Sequence, residues 1–324
     1  MTRAAGKEAA VIVAGPTSSG KSALALALAE RLGGTVINAD SMQVYRELRI
    51  LTARPTEADE ARVPHALYGV RPAGEAGTAA WWRGEALAAM AQARAQGRMP
   101  ILCGGTGLYL AALTHGLADI PDPGEAARDE ARTLLEQIGA AALHARLAAV
   151  DPATALRLRP ADSQRVARAW EVFRGTGRGL ASWHADQKPD PDLPWRWRTV
   201  LLDPPREALR EAIARRFETM LSLGAVDEVR RLLAQSLPSS LPAMRAHGVP
   251  ELSAYLRGAI SLAEAAARAR LVTGQYTKRQ ATWFRHRDIS DKDDTHRFLA
   301  RFEENEQFLE RFLPEILKFI RRPG

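Results

Sequence analysis

Residues 15–22 of this chain read Gly-Pro-Thr-Ser-Ser-Gly-Lys-Ser, a full match to the pattern G-x-x-x-x-G-K-[ST], and the apolar run Ala9-Ala10-Val11-Ile12-Val13-Ala14 leads straight into it. Behind the match, residues 23–29 alternate Ala and Leu, both strong helix formers. Strand, loop and helix therefore follow one another in the order that builds a phosphate cradle. Gly15 and Gly20 allow the backbone N–H groups from Thr17 to Ser22 to turn inward around an anion, with Pro16, Ser18 and Ser19 completing the loop. Lys21 adds a point charge, the helix N-terminus adds its positive dipole end, and the Ser22 hydroxyl is a ligand for Mg²⁺. Which phosphate compound binds, and whether a phosphoryl group is what moves, the motif leaves open.

The alternation continues through the first hundred residues. Residues 11–14, 35–39, 66–70 and 100–103 are predicted strands, and residues 22–32, 57–61 and 79–96 predicted helices. This predicts an α/β fold of the P-loop NTPase kind, a mostly parallel sheet flanked by helices, with its ligand site beyond the carboxyl ends of the strands. Gly15, Asp40 and Gly104 each follow a predicted strand directly and are expected to line one cleft. From about His115 to Pro194 strand signals give way to Ala-, Leu- and Arg-rich helical segments broken at Pro121, Pro123, Pro152 and Pro160. The expected organisation is a core in two parts, 1–114 and 198–324, with a helical insertion at 115–197. Residues 199–202 read as the last strand, 206–234 as one amphipathic helix, 289–296 as a loop, and 262–284 and 298–320 as further helices.

The chain has 324 residues and a formal charge of +7, with Arg far outnumbering Lys. A basic surface suits a polyanion such as nucleic acid, while Arg-rich codon usage is the plain alternative. Within residues 157–178, Arg157, Arg159, Arg165, Arg168, Arg174 and Arg178 stand against Asp162 and Glu171, either a solvated helix face or a nucleic-acid-facing one. The single cysteine, Cys103, excludes an intrachain disulfide framework and a multi-cysteine zinc site. No apolar run reaches the roughly 18–20 residues that cross a bilayer. The expectation is a cytoplasmic protein without membrane contact, and a monomer.

Three more motifs join the phosphate loop: Asp40-Ser41-Met42-Gln43-Val44-Tyr45, Gly104-Gly105-Thr106-Gly107-Leu108-Tyr109, and Lys278-Arg279-Gln280-Ala281-Thr282-Trp283-Phe284-Arg285. In this order, with Pro55 and Pro64, the Gln164-Arg165-Val166-Ala167-Arg168 segment and Arg206 opening a long helix, the chain resembles the tRNA dimethylallyltransferases, also called tRNA isopentenyltransferases, over nearly its whole length. The resemblance implies transfer of a dimethylallyl group from dimethylallyl diphosphate to the exocyclic amine of the adenosine just 3′ of the anticodon. It also implies that the helical insertion grips the anticodon stem-loop. It further implies that Arg216 reaches the diphosphate and Thr106 the target nucleotide. The positions it assigns to tRNA contact are Asp40, Ser41, Met42, Gln43, Thr106, Arg128, Gln164, Arg165, Val166, Ala167, Arg168, Arg245, Lys278, Arg279, Gln280, Thr282, Trp283 and Arg285.

The chemistry follows from the residue types. An adenine amine is a poor nucleophile, so a base must take its proton as the new C–N bond forms, and Asp40 is the candidate. A helix cap or a Mg²⁺-linked carboxylate is its alternative role. Thr106 follows a Gly-Gly turn and either meets the ligand or only caps a helix. Lys21 and the loop would stabilise the departing diphosphate. Trp283, an aromatic between cations on a helix, is expected to pack inward rather than stack on a base.

Two places depart from the family pattern. Leu51-Thr52-Ala53-Arg54-Pro55 stands where most members have Gly-Thr-Ala-Lys-Pro, and Gly248-Val249-Pro250 replaces a Gly-Tyr pair. The competing readings are a small-molecule or nucleotide kinase with the same loop, and a nucleic-acid-binding NTPase module that uses the loop as a switch.

Overall fold

The computed structural model describes residues 7–187, 193–303 and 306–322. The chain divides into two compact units, one of Met1–His115 with Asp192–Gly324, the other of Gly116–Pro191. In the first, β1 (Glu8–Ala14) enters the phosphate loop and α1 (Lys21–Leu32), followed by β2 (Gly34–Asn38), α2 (Glu57–Arg62), β3 (His65–Ala66), α3 (Ala79–Ala95), β4 (Met99–Gly104) and α4 (Gly107–His115). The second unit holds α5 (Glu125–Val150), α6 (Pro152–Ala155), α7 (Ser163–Thr176) and α8 (Leu180–Ala185). The chain then returns to the first unit with β5 (Trp195–Leu202), α9 (Arg206–Ser222), α10 (Ala225–Leu233), α11 (Val249–Leu256), α12 (Leu262–His286), β6 (Thr295–Phe298) and α13 (Glu306–Ile320).

The six strands form one sheet in the order β3-β2-β4-β1-β5-β6, every pair parallel. Alternation along β1 divides the core in two. Ala10, Ile12 and Ala14 face the side covered by Trp82 and Met90 of α3, Phe217 of α9, Val229 of α10, Leu252 of α11 and Phe284 of α12. Val11 and Val13 face the side covered by Leu24 and Leu28 of α1 and Ile316 and Phe319 of α13. Each such buried aliphatic side chain stabilises the fold by roughly 1.5–3 kcal/mol. Strands buried on both faces read as continuous apolar runs, which is why β1 and β4 were legible. In the second unit α5 bends at Gly139 (φ 75°, ψ 170°) and packs Ala131, Leu143 and Leu147 against Val166, Ala169 and Trp170 of α7.

Several expected boundaries shift. The third strand is only His65–Ala66, because Leu67 (φ 65°) and Gly69 (φ 61°) turn the chain out of extended geometry where residues 66–70 were expected to continue. β5 begins at Trp195, so the last residues of the expected insertion, 115–197, belong to the sheet. It is not the last strand: β6 runs through the polar stretch expected to be a loop and takes Phe298 from the expected final helix. As an edge strand with only Phe298 fully buried, β6 carries no apolar run to read. The single helix expected over 206–234 is two, α9 and α10, parted at Gly224 (φ 96°).

Candidate active site

The phosphate loop follows β1, beside the ends of β4 and β5. Gly20 sits at φ 89°, left-handed, and a side chain there would collide with the carbonyl of Phe302, so only glycine fits. From outside, Phe302 N–H donates to the Ser19 carbonyl (2.9 Å) and Arg301 Nε to the Ser18 carbonyl (3.0 Å). Across a trans peptide the next N–H points the opposite way, so holding the Ser19 carbonyl outward turns the Gly20 N–H inward. The N–H groups of Lys21 and Ser22, in the first turn of α1, have no acceptor within the helix. Two N–H groups expected in the cradle are taken instead. Thr17 N–H donates to Gln280 Oε1 (2.8 Å) and Ser19 N–H to the Pro16 carbonyl (3.2 Å), which narrows the expected Thr17–Ser22 donor set. The Ser18 and Ser19 hydroxyls are buried without a partner among the described residues, as befits oxygens awaiting a polar ligand.

Beyond the loop lies a cleft enclosing about 760 Å³ of space continuous with solvent. Thr17, Ser18, Lys21, Ser22, Asp40 and Arg216 supply its polar wall, and Leu51, Phe217 and Met220 part of an apolar one. Burial pushes the Lys21 ammonium below its usual range, and the Asp40 charge partly restores it. The Arg216 guanidinium is likewise lowered by burial and favoured by Asp40, and its Nη2 donates to the Thr52 carbonyl (3.2 Å). Among the described lining residues Asp40 is the one carboxylate. Its Oδ1 accepts from Met42 N–H (3.0 Å), and its backbone N–H donates to Asn38 Oδ1 (2.8 Å), fixing the turn after β2. Oδ2 makes no described hydrogen bond.

Thr106 stands beside this lining rather than on it. Its Oγ1 accepts from Ser41 N–H (2.9 Å), its hydroxyl donates to Ser41 Oγ (3.3 Å), and its carbonyl starts α4. Gln280 is buried on α12, with Nε2 donating to the Gly105 carbonyl (2.9 Å), so one amide ties the phosphate loop to the Gly104-Gly105-Thr106 turn. Gln43 is also buried, donating to the Thr52 carbonyl (2.8 Å). Trp283 is half-buried, against Gly107 and edge-on to Phe284 (5.2 Å), partly the inward packing expected. Lys278, Arg279, Thr282 and Arg245 are exposed, and Arg285 pairs with Asp203 (3.2 Å). In the second unit Gln164, Arg165 and Arg168 are exposed, Arg168 pairs with Glu171 (3.0 Å) and Arg128 with Asp122. Val166 is fully buried in that unit's core and Ala167 packs against it, so both side chains serve packing.

Sequence reasoning missed Tyr276, His247 and Arg301. Tyr276 lies four residues before Gln280, so helical spacing from that residue leads to it. Burial, with the Asp40 charge, pushes its hydroxyl up to about 12, so it stays a donor at neutral pH. His247, 4.9 Å from the Tyr276 ring, is lowered by burial and is neutral at pH 7. For Arg301, 283 residues from its partner Ser18, the sequence holds no signal.

The family model described as IPP transferase matches residues 43–287, and one described as isopentenyl transferase matches residues 8–68. The chain belongs to the IPP transferase family. Within that family it is 62% identical to the tRNA dimethylallyltransferase of Granulibacter bethesdensis over 96% of this chain and 98% of that one. It is 60% identical to that of Acidiphilium cryptum over 96% and 94%. Among solved IPP transferase relatives, a eukaryotic dimethylallyltransferase described as acting on tRNA superposes with a TM-score of 0.79 at 25% identity, covering 98% of this chain and 80% of that one. The tRNA isopentenylpyrophosphate transferase of Bacillus halodurans gives 0.66 at 31% identity over 97% and 98%.

Proposed function

We propose that this chain transfers a dimethylallyl group from dimethylallyl diphosphate to the exocyclic N6 amine of the adenosine immediately 3′ of the anticodon in tRNA, releasing diphosphate. The observation that carries this reading is a built anion loop and a single carboxylate facing one cleft, in a chain whose relatives are named tRNA dimethylallyltransferases. Those names also leave the kinase alternative without support.

In the reaction, the C1–O bond of the allylic diphosphate breaks and its electron pair leaves with the diphosphate. The amine lone pair forms the N6–C1 bond, and the N6 proton passes to Asp40 Oδ2, the oxygen left unengaged in the cleft. The Gly20, Lys21 and Ser22 N–H groups, the Lys21 ammonium and the Arg216 guanidinium meet the charge that develops on the leaving group. Thr106 and Gln280 are positioning residues: the first fixes Ser41 beside the base, the second fixes the loop. The target base must leave its stack to enter, at a cost of a few kcal/mol, offset by contacts to the loop around it.

Mg²⁺ fits the donor set. Ser22 is exposed at the cleft and offers a hard hydroxyl oxygen, and no group of three or more His, Cys, Asp or Glu among the described residues forms a ready-made cage. Such an ion takes its remaining ligands from phosphate and water. When bound it would offset charge on the diphosphate. No helix among the described residues is long and apolar enough to cross a membrane, and we assign the chain to the cytoplasm, where its tRNA substrate resides, acting as a monomer.

The test is to incubate the protein with unmodified tRNA and labelled dimethylallyl diphosphate, beside a parallel reaction with labelled ATP. Label transfer to tRNA from the prenyl donor alone is expected. Phosphoryl transfer, or no transfer from either, overturns the proposal.

A further inference from the structure

The turn over residues 49–53 does not hold itself. It directs the backbone N–H groups of Arg49, Ile50 and Leu51 at one point and ends at Ala53 with φ 47°, in the left-handed region that a residue with a Cβ resists. Successive N–H groups converging in this way form a nest that an anion must fill. The anion is the side chain of Glu228, which is buried and stands in the first turn of α10, where the helix dipole favours negative charge. Its Oε2 accepts from Arg49 N–H (2.8 Å) and Ile50 N–H (2.7 Å), and its Oε1 from Leu51 N–H (2.9 Å). Hydrogen bonds to an ionised acceptor are about twice as strong as neutral ones.

What the turn delivers is a carbonyl. The next residue, Thr52, is buried on the cleft lining, and its carbonyl oxygen accepts from Gln43 Nε2 (2.8 Å) and from Arg216 Nη2 (3.2 Å). Both lone pairs of that oxygen are then in use. Arg216 makes no other hydrogen bond among the described residues, so a long side chain on the cleft wall hangs from this one acceptor and the rest of its guanidinium fork is free. Where the Thr52 carbonyl stands decides where the remaining donors point.

We infer that Glu228, which does not line the cleft, is the positioning residue for Arg216: by filling the nest at residues 49–51 it fixes the Thr52 carbonyl and aims the guanidinium at a diphosphate. This rests on the reading of Arg216 as a cation for the leaving diphosphate. A cation already aimed loses less freedom when its ligand arrives, which is preorganisation supplied from outside the site. In Glu228→Gln the amide oxygen can keep the Arg49 and Ile50 N–H groups, but its NH₂ then faces the Leu51 N–H, donor against donor. The turn is released at the residue next to Thr52, where Arg216 depends on it.

The experiment is a double-mutant cycle on Glu228→Gln and Arg216→Gln, reading the dissociation constant for inorganic diphosphate by calorimetry in Mg²⁺ buffer, with folding checked by circular dichroism. Glu228→Gln should weaken diphosphate binding by about tenfold and Arg216→Gln by more, while the double variant should lie within about threefold of Arg216→Gln alone, since residues that act through one another do not add. A support that only stabilised the fold would weaken binding by the same factor with or without Arg216. That result, or a folded Glu228→Gln that binds diphosphate as the wild type does, overturns the inference. So does a wild type that fails to bind diphosphate. A wild type that binds diphosphate but transfers no dimethylallyl group to tRNA sinks the functional reading instead, and the cycle still decides whether Glu228 acts through Arg216. Should Glu228→Gln not fold, Glu228→Asp, which keeps the charge and draws it back by one methylene, is read in the same cycle with the same outcomes.

Discussion

A buried cation, Lys21, and a half-buried one, Arg216, line a cleft with one carboxylate, and the division of labour among the three can be separated by single changes. Asp40→Ala removes the proton acceptor while leaving the phosphate loop intact. Prenyl transfer should fall by roughly 10²–10⁴-fold, with the dissociation constant for tRNA within about threefold of wild type. Single-turnover assay and filter binding on one preparation read both, and a near-normal rate would take Asp40 out of the reaction. Lys21→Ala should cost roughly 10²–10³-fold in turnover, since its charge acts where the leaving group forms. A defect confined to tRNA binding in that variant would contradict its assignment. These two residues were legible in the sequence because each lies within a contiguous motif at the end of a strand. Arg301 and the capture of Thr17 N–H by Gln280 were not, because their partners are brought together only by tertiary structure.

Among elements, α12 connects the most parts of the site, with Thr273 and Tyr276 on the cleft, Gln280 on the phosphate loop and Trp283 against the start of α4. Gln280→Ala would leave the Thr17 N–H and the Gly105 carbonyl without partners. An unsatisfied buried polar group costs about 1–3 kcal/mol, so urea unfolding should show a loss in that range. Displacing the loop should also lower kcat/KM for dimethylallyl diphosphate roughly ten- to a hundredfold. A variant as stable and active as wild type would leave Gln280 without a positioning role. Strongly periodic or fully buried elements such as α1, β1 and β4 were evident from pattern alone. β6 was not: an edge strand is half solvated, and the residues Thr295-His296-Arg297 give it the appearance of a loop. The break between α9 and α10 was missed because Gly224 interrupts a pattern that stays amphipathic on both sides.

For the molecule as a whole, charge and protonation set the working conditions. With a formal charge of +7 and exposed cations at Lys278, Arg279, Arg165 and Arg168, tRNA affinity should fall linearly with salt on a log–log plot. Titrations at several salt concentrations measure the slope, and a flat line would exclude docking led by phosphate contacts. His65, His184 and His247 are all lowered by burial, so each remains neutral in the folded chain at pH values where the unfolded chain is protonated. The unfolded state then binds more protons, and stability should decline as pH drops below about 6.5. Thermal melts from pH 7.5 to 5 should show that decline, with a shallower slope once the three histidines are replaced by Gln. One contact carries a consequence for biosynthesis. The outward carbonyls of Ser18 and Ser19 are held by Arg301 and Phe302, so a nascent chain has emitted nearly all its residues before its most recognisable motif gains these two supports, and a transcript truncated ahead of codon 301 would encode the whole signature without them.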